Sequence, residues 1–434
     1  MKRYIKYCLV GTMAFAACSK NFQDPTGPSS SQAYSSPTTI TDATVGLQAW
    51  YSKDRTGLLY NTITAGTLLT GEAYVTNSGN ADEAQLTAGG VKVLNTNAVV
   101  NQLWAVSTKI VYESNNILAA TPKVITDPGY ASGVIAYTSI FKAWAMGVQA
   151  NFFQQIPDTS GKPDNINDDV HFIPGQQGYL KAAAILDNAI NVVKANPVSA
   201  SIAPYLPQGI NIINTLYALK ARYALYGGDY VSALAAANNV DLTVKSTLNF
   251  NAQVNNPIYA LVTATNNIWQ TTGPTMGLPT GFQPSPADLR VPFYIVKPTS
   301  GTLPYVLTGF YTTPTSPVPV YLPGEVILIK AECYARQNDI PNGLAQLNKV
   351  VTKLPSADAF GVGAGLPAIA SVSGQQALLD SIYQHRRIEL YSCGQELEDS
   401  RRFNRPVAER KRSYLPYPLV ERNDNPNTPA DPAF

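Results

Sequence analysis

The chain has 434 residues, 45% of them apolar and only 14% charged, with 31 Lys and Arg against 29 Asp and Glu. An apolar share near the globular average can bury a sizeable core, which sets disorder aside, and a formal charge of +2 speaks against a nucleic-acid partner. Four Cys without a C-x-x-C pair and two His, His171 and His385, leave structural zinc, thioredoxin-like redox chemistry and most metal or triad chemistry without their usual residues.

The first element in chain order is a targeting segment. Lys2, Arg3 and Lys6 precede a mostly apolar run from Cys8 to Ala17, long enough for a signal-peptide core and too short to span a bilayer. The run ends Phe15-Ala16-Ala17-Cys18, which resembles a bacterial lipobox although Phe15 stands where Leu or Val is usual. The expectation is a cut after residue 17 and lipid on Cys18; the alternative is an ordinary signal peptide cut elsewhere. Acyl chains buried at ~0.8 kcal/mol per CH₂ would hold the body at a membrane surface. Residues 18–36, rich in Pro, Gly, Ser, Thr and Gln, read as a flexible tether, and 37–434 as the folded body, one large domain or two intimate ones.

Helical spacing of apolar residues predicts helices over 103–119, 135–153 and 179–193. Two helix pairs follow: 210–226 with 229–240 around Gly227-Gly228-Asp229-Tyr230, and 323–336 with 341–353 around Asn338-Asp339-Ile340-Pro341. Their small-residue pattern is that of tetratricopeptide-type hairpins, without a clean repeat. A last helix is expected over 375–391. The stretches of about 55–100 and 245–320, rich in aromatics, Asn and Pro, read as loops. The fold class is therefore mainly α, helix pairs with an irregular, loop-rich half.

Short catalytic signatures are missing: no G-x-S-x-G, H-E-x-x-H, P-loop or EF-hand loop occurs. Gly361, Gly363 and Gly365, followed by Pro367, read as a flexible loop. No Glu lies between Glu113 and Glu325, and Asp158, Asp164, Asp168 and Asp169 read as loop solvation, so a paired-carboxylate glycosidase site has no support. The reading is non-enzymatic, with no cofactor and no metal. The basic run Arg401, Arg402, Arg405, Arg410, Lys411 and Arg412 reads as solvated or ion-paired. Cys333 and Cys393 read as buried thiols, with a disulfide permitted by an oxidising compartment.

Loop aromatics are the positive functional signal, because a sugar ring presents an apolar CH face that stacks on Trp or Tyr. Tyr74 with Asn77, and Trp269, Phe282, Tyr294 and Tyr311, are the ligand-binding candidates; the alternative is that they are core aromatics of irregular structure. Arg386 shares a stripe with Ile382 and Leu390, so it needs a partner, and the expectation is that Arg386 or Arg387 pairs with Glu325 or Glu332.

Several segments resemble the SusD/RagB family of outer-membrane nutrient-binding lipoproteins. They are Cys18-Ser19-Lys20-Asn21-Phe22-Gln23-Asp24-Pro25; Trp104, Tyr112 and Asn115-Asn116; Phe152-Phe153-Gln154-Gln155-Ile156-Pro157; and Gly324 to Glu332. His385-Arg386-Arg387-Ile388-Glu389-Leu390, Gly394 to Phe403 and Leu415-Pro416-Tyr417-Pro418-Leu419 complete the set. The resemblance implies four tetratricopeptide-like helix pairs and a SusC-like TonB-dependent transporter as partner, to which oligosaccharide or peptide is delivered at the cell surface. It also implies a lipid-anchored position on the outer membrane of a Gram-negative bacterium. Leu397-Glu398 departs from the family's usual aromatic pair. A second reading is a surface scaffold that holds a protein through its helix pairs, with no small ligand.

Overall fold

The computed structural model describes residues 30–158, 170–263, 268–299 and 301–434. The signal segment, Cys18, the tether up to residue 29, and Asp164, Asp168 and Asp169 lie outside the described residues. The described end of the proposed tether is not free: Ser30–Ala33 forms a helical turn and the Tyr34 hydroxyl donates to Glu113.

The helices in chain order are α1 (Pro37–Ser52), α2 (Leu58–Thr70), α3 (Ala81–Ala88), α4 (Ala98–Val124), α5 (Pro128–Phe152), α6 (Gly175–Ala195), α7 (Ile212–Gly227), α8 (Tyr230–Ala237), α9 (Pro323–Arg336), α10 (Ile340–Val351), α11 (Gln375–Glu389), α12 (Glu396–Arg402) and α13 (Leu419–Asp424). Short helical turns at Pro257–Val262 and Arg290–Tyr294 break the loop-rich half. The eight strands described are β1 (Ala73–Tyr74), β2 (Gln155–Pro157), β3 (Phe172–Pro174), β4 (Thr247–Leu248), β5 (Gln270–Thr271), β6 (Ile295–Val296), β7 (Val306–Leu307) and β8 (Val318–Pro319). They form four antiparallel pairs, β1 with β5, β2 with β3, β4 with β8 and β6 with β7.

Each helix predicted from apolar spacing is present. Local chemistry sets their ends. Asn97 and Asp127 accept backbone N–H groups at the starts of α4 and α5, satisfying donors that have no partner within the helix. The α7–α8 and α9–α10 hairpins turn in the same way. Gly228 and Asn338 take left-handed φ of 84° and 60°. The following Asp229 and Asp339 donate their N–H groups to Ala224 and Tyr334, and then cap the next helix through their own carboxylates. Two hairpins far apart in sequence thus share one turn.

Successive helices pack on one another from α4 through α10, with α5 wedged among α4, α6 and α7. Small residues let α5 be surrounded: a Cβ on Gly147 would meet the Tyr223 ring at 2.3 Å.

The expectation of a loop over 55–100 is corrected. All of α2 is buried there, and α3 follows. Its sequence LLYNTITAGTLLT is rich in Thr, a poor helix former, but burial between neighbouring helices overrides propensity. Several of its buried polar groups bond locally: Thr67 and Thr70 hydroxyls donate to the carbonyls of Ile63 and Gly66, and the Asn61 amide to Gly57, while the Thr62 and Thr64 hydroxyls have no partner among the described residues. Residues 245–320 are irregular, as expected, apart from the two short turns and strands β4 to β8.

Candidate functional sites

In the loop-rich half, β1 and β5 bring two sequence candidates together. Tyr74 stands opposite Gln270, the residue after Trp269. The ring of half-buried Tyr305 lies against Gly273 just beyond, a contact that the positive φ of Gly273 (89°) permits. Next to Tyr74, the turn carrying exposed Asn77 is closed by its own side chain, whose Oδ1 accepts from Gly79 N–H at 2.9 Å. Tyr74 is part-exposed and Asn77 exposed, while Tyr305 lies at the other end of this strand pair, by Gly273.

Three other candidates are corrected. Trp269, Tyr294 and Tyr311 are at most 1% exposed and belong to the main core. For the two tyrosines the reason is a polar one, while the Trp269 indole N–H has no hydrogen-bond partner among the described residues. Helix α11 ends deep inside the molecule, and the carbonyls at its end and in the turn after it need donors. The Tyr294 hydroxyl donates to Glu389 O at 2.7 Å and Tyr311 to Ser392 O at 2.8 Å. Phe282 is part-buried, edge-on to Tyr383 and under the Arg405 guanidinium at 4.0 Å. The candidates therefore do not converge on one ligand.

The four charged residues expected to pair with one another are all buried in ion pairs, but with other partners. Arg386 bonds Asp399 at 3.0 Å, and Arg387 bonds Glu72 at 3.0 Å. Glu325 takes a two-pronged contact from Arg222 at 2.6 and 2.7 Å, while Glu332 takes one from Arg402 at 2.9 Å. Arg402 also bonds Asp399, so α12 inserts its own Asp and Arg between Arg386 and Glu332. That helix is what the sequence reading lacked. The basic run is likewise consumed: Arg401 and Arg405 pair with Glu398 and Glu409, and Arg412 donates to the carbonyls of Gly90 and Tyr414.

Nothing catalytic assembles around the histidine of this region. Burial, and then the Arg290 charge, push the His385 pKa down to about 3, so the ring is neutral. Its Nδ1 lies 2.8 Å from Arg290 Nη2 and must accept, because a guanidinium can only donate. Among the described residues no group of His, Cys, Asp and Glu could hold a metal ion, and Cys333 and Cys393 are free thiols.

A cleft of about 820 Å³ opens among the helices instead. Each of three helices turns a stripe toward it: Ala105, Thr108 and Tyr112 from α4, Lys142, Met146 and Gln149 from α5, and Lys181, Ile185 and Asn188 from α6. The spacing of three and four residues places each set on one helix face. Helix α13 borders it through Glu421, which accepts the Trp104 indole N–H at 2.9 Å. The sequence reading missed this site because its lining is mixed, and apolar periodicity registers only the faces turned to the core.

Solved structures match this arrangement over nearly its whole length. A SusD superfamily protein from Bacteroides thetaiotaomicron aligns with a TM-score of 0.69 over 92% of this chain and 100% of its own, at 15% identity. The chain has a SusD-like fold. A SusD-like carbohydrate binding protein from Bacteroides vulgatus gives 0.68 over 86% of this chain and 84% of its own, at 14% identity. A laminarin binding SusD-like protein gives 0.61 over 92% and 99%, at 16% identity. No protein-family model and no curated protein matches the chain.

Within this SusD-like fold, several residues that carry the sequence resemblance are packing residues, while Tyr112 lines the cleft. Trp104 meets Phe153 and Tyr417 edge-on at 4.8 and 5.4 Å. The Tyr417 hydroxyl exchanges hydrogen bonds with the backbone of Gln155 at 3.0 Å. A Cβ on Gly324 would lie 1.7 Å from the Glu389 carboxylate, so only glycine fits there.

Proposed function

We propose that this chain is a non-catalytic, cell-surface nutrient-binding lipoprotein of the SusD type. It captures oligosaccharide and delivers it to a SusC-like TonB-dependent transporter in the outer membrane. Cys18 carries the lipid, residues 18–36 link it to the body, and 37–434 is a single domain. The observation that carries this reading is the likeness of the entire fold to carbohydrate-binding SusD-like proteins, one of them laminarin binding.

Part-exposed Tyr74, with exposed Asn77 three residues on, is where a sugar would stack, with a ring face for CH groups and an amide for hydroxyls. One stacked ring contributes on the order of 1 kcal/mol, which gives the weak hold that suits a protein passing its cargo on. In this reading the bound glycan leaves unchanged.

The test is calorimetric titration of the mature chain with laminarin, starch-derived and other oligosaccharides, and with mixed peptides. Saturable binding of one glycan class supports the reading; no heat from any of them sinks it. The scaffold reading stays in play on one observation, that a cleft of about 820 Å³ lies between helices.

A further inference from the structure

Where α1, α5 and α7 meet β8 and the start of α9, the packing leaves a cavity of about 60 Å³. Its wall includes Tyr51 from α1, Trp144 from α5, Arg222 and Tyr223 from α7, Val318 from β8 and Glu325 from α9.

Two of these side chains bring polar atoms that the protein itself does not satisfy. The Tyr51 hydroxyl and the Trp144 indole N–H have no hydrogen-bond partner among the described residues, although Tyr51 is 1% and Trp144 7% exposed. Neither atom is sealed by its neighbours as the Trp269 N–H is, so each faces space that a water molecule can touch. The two rings are close, with centroids 4.0 Å apart, and the Tyr51 hydroxyl feels Tyr223 and Arg222 across the cavity. Arg222 spends Nε and Nη2 on Glu325 and the Val320 carbonyl, which leaves Nη1 on the side of Tyr223.

Size and charge choose the occupant. A water molecule takes roughly 30 Å³, so about two fit, and a sugar ring does not. An anion has no excess positive charge to meet, because both oxygens of Glu325 hold Arg222, at 2.6 and 2.7 Å. A cation finds no free carboxylate, since Glu325 is the one acidic residue of the wall. An apolar guest would leave a buried hydroxyl and a buried N–H unsatisfied, which is costly.

We propose that this cavity binds a pair of ordered water molecules, one accepting from the Trp144 N–H and one bonded to the Tyr51 hydroxyl. They join the helical body to the loop-rich half at β8 by hydrogen bonds where side-chain packing does not reach. The site takes no part in glycan capture and goes beyond that reading.

The test is a crystal structure of the full mature chain at a resolution that shows ordered water, with a second crystal held under xenon pressure. Water density should fill the cavity, with a peak within about 3.2 Å of Trp144 Nε1 and another as close to the Tyr51 hydroxyl, and xenon should stay out. Tyr51→Phe and, separately, Trp144→Phe should each lose the peak beside the atom removed. If a variant fails to fold, the two parent crystals still decide. Four results overturn the proposal: a parent cavity with no ordered water, xenon bound in it, a buffer ion or additive in place of water, or unchanged water peaks in both variants. None of these readouts involves a glycan, so failure here and failure of the capture reading are told apart.

Discussion

Arg387 on α11 holds the carboxylate of Glu72, 315 positions earlier in the chain, at 3.0 Å, and both side chains are buried. Glu72 in turn accepts from Ser392 N–H at 3.0 Å, so the residue after α2 is tied to the turn after α11. The pair closes the two ends of the fold on each other. Glu72→Ala should strand the guanidinium in the core and cost about 3–5 kcal/mol. Chemical denaturation of the variant checks this; a cost under ~1 kcal/mol would mean that the charge finds water.

A second buried carboxyl, Glu396, feels the charge of Glu72. Two carboxylates facing one guanidinium leave an excess negative charge, and burial with the Glu72 charge holds the Glu396 pKa well above the ordinary glutamate value. The folded state therefore keeps a proton that the unfolded chain releases near pH ~4.3. Stability from this group is full below that pH and is lost as pH rises through the folded-state pKa. Glu396→Gln, which mimics the neutral acid, should match the parent near pH ~4 and melt several degrees higher near pH ~8. Melting curves across that range decide it; parallel profiles for the two proteins would refute the shared proton.

Trp269 and Tyr74 should part company on mutation. Removing a ring as buried as Trp269 opens a cavity, so Trp269→Ala should cost about 3–5 kcal/mol whatever the ligand. Tyr74→Ala should change stability by ~1 kcal/mol or less and weaken glycan binding severalfold. Paired denaturation and titration experiments check both, and a Tyr74 variant with parental affinity would remove Tyr74 from the ligand site.

Cys18→Ala should move the protein out of the membrane fraction without changing its melting temperature, because the lipid joins a segment ahead of the packed body. Fractionation after a high-salt wash is the measurement. A variant that still pellets would point to an anchor elsewhere.

His385 should stay neutral throughout the physiological range, since its pKa lies near 3. Its ring proton signals in NMR should not titrate between pH ~5 and ~8, where an ordinary histidine does. A midpoint inside that window would require the Arg290 contact to open.

The helices and their turns were readable in the sequence because their causes are local. Apolar spacing marked α4 through α11, and Gly228-Asp229 and Asn338-Asp339 marked the hairpins, each acting within a few residues. The same reading failed at α2, where Thr-rich sequence points away from a helix and only burial on every side reverses it. It could place aromatics in loops but not say which loops fold inward. Tyr294 and Tyr311 were turned into core residues by a buried helix end and its turn, which needed their hydroxyls, and Trp269 by packing alone.

The sequence by itself determined the helical class, the two matching hairpins, the need of Arg386 and Arg387 for buried partners, and the resemblance that the fold bears out. Tertiary structure alone decided who those partners are, because Asp399 and Glu72 are chosen by packing across 13 and 315 positions and leave no periodic trace. It alone also made the cleft, since Lys142, Tyr112 and Asn188 lie on separate helices and become neighbours only when α5 is clasped between α4 and α6.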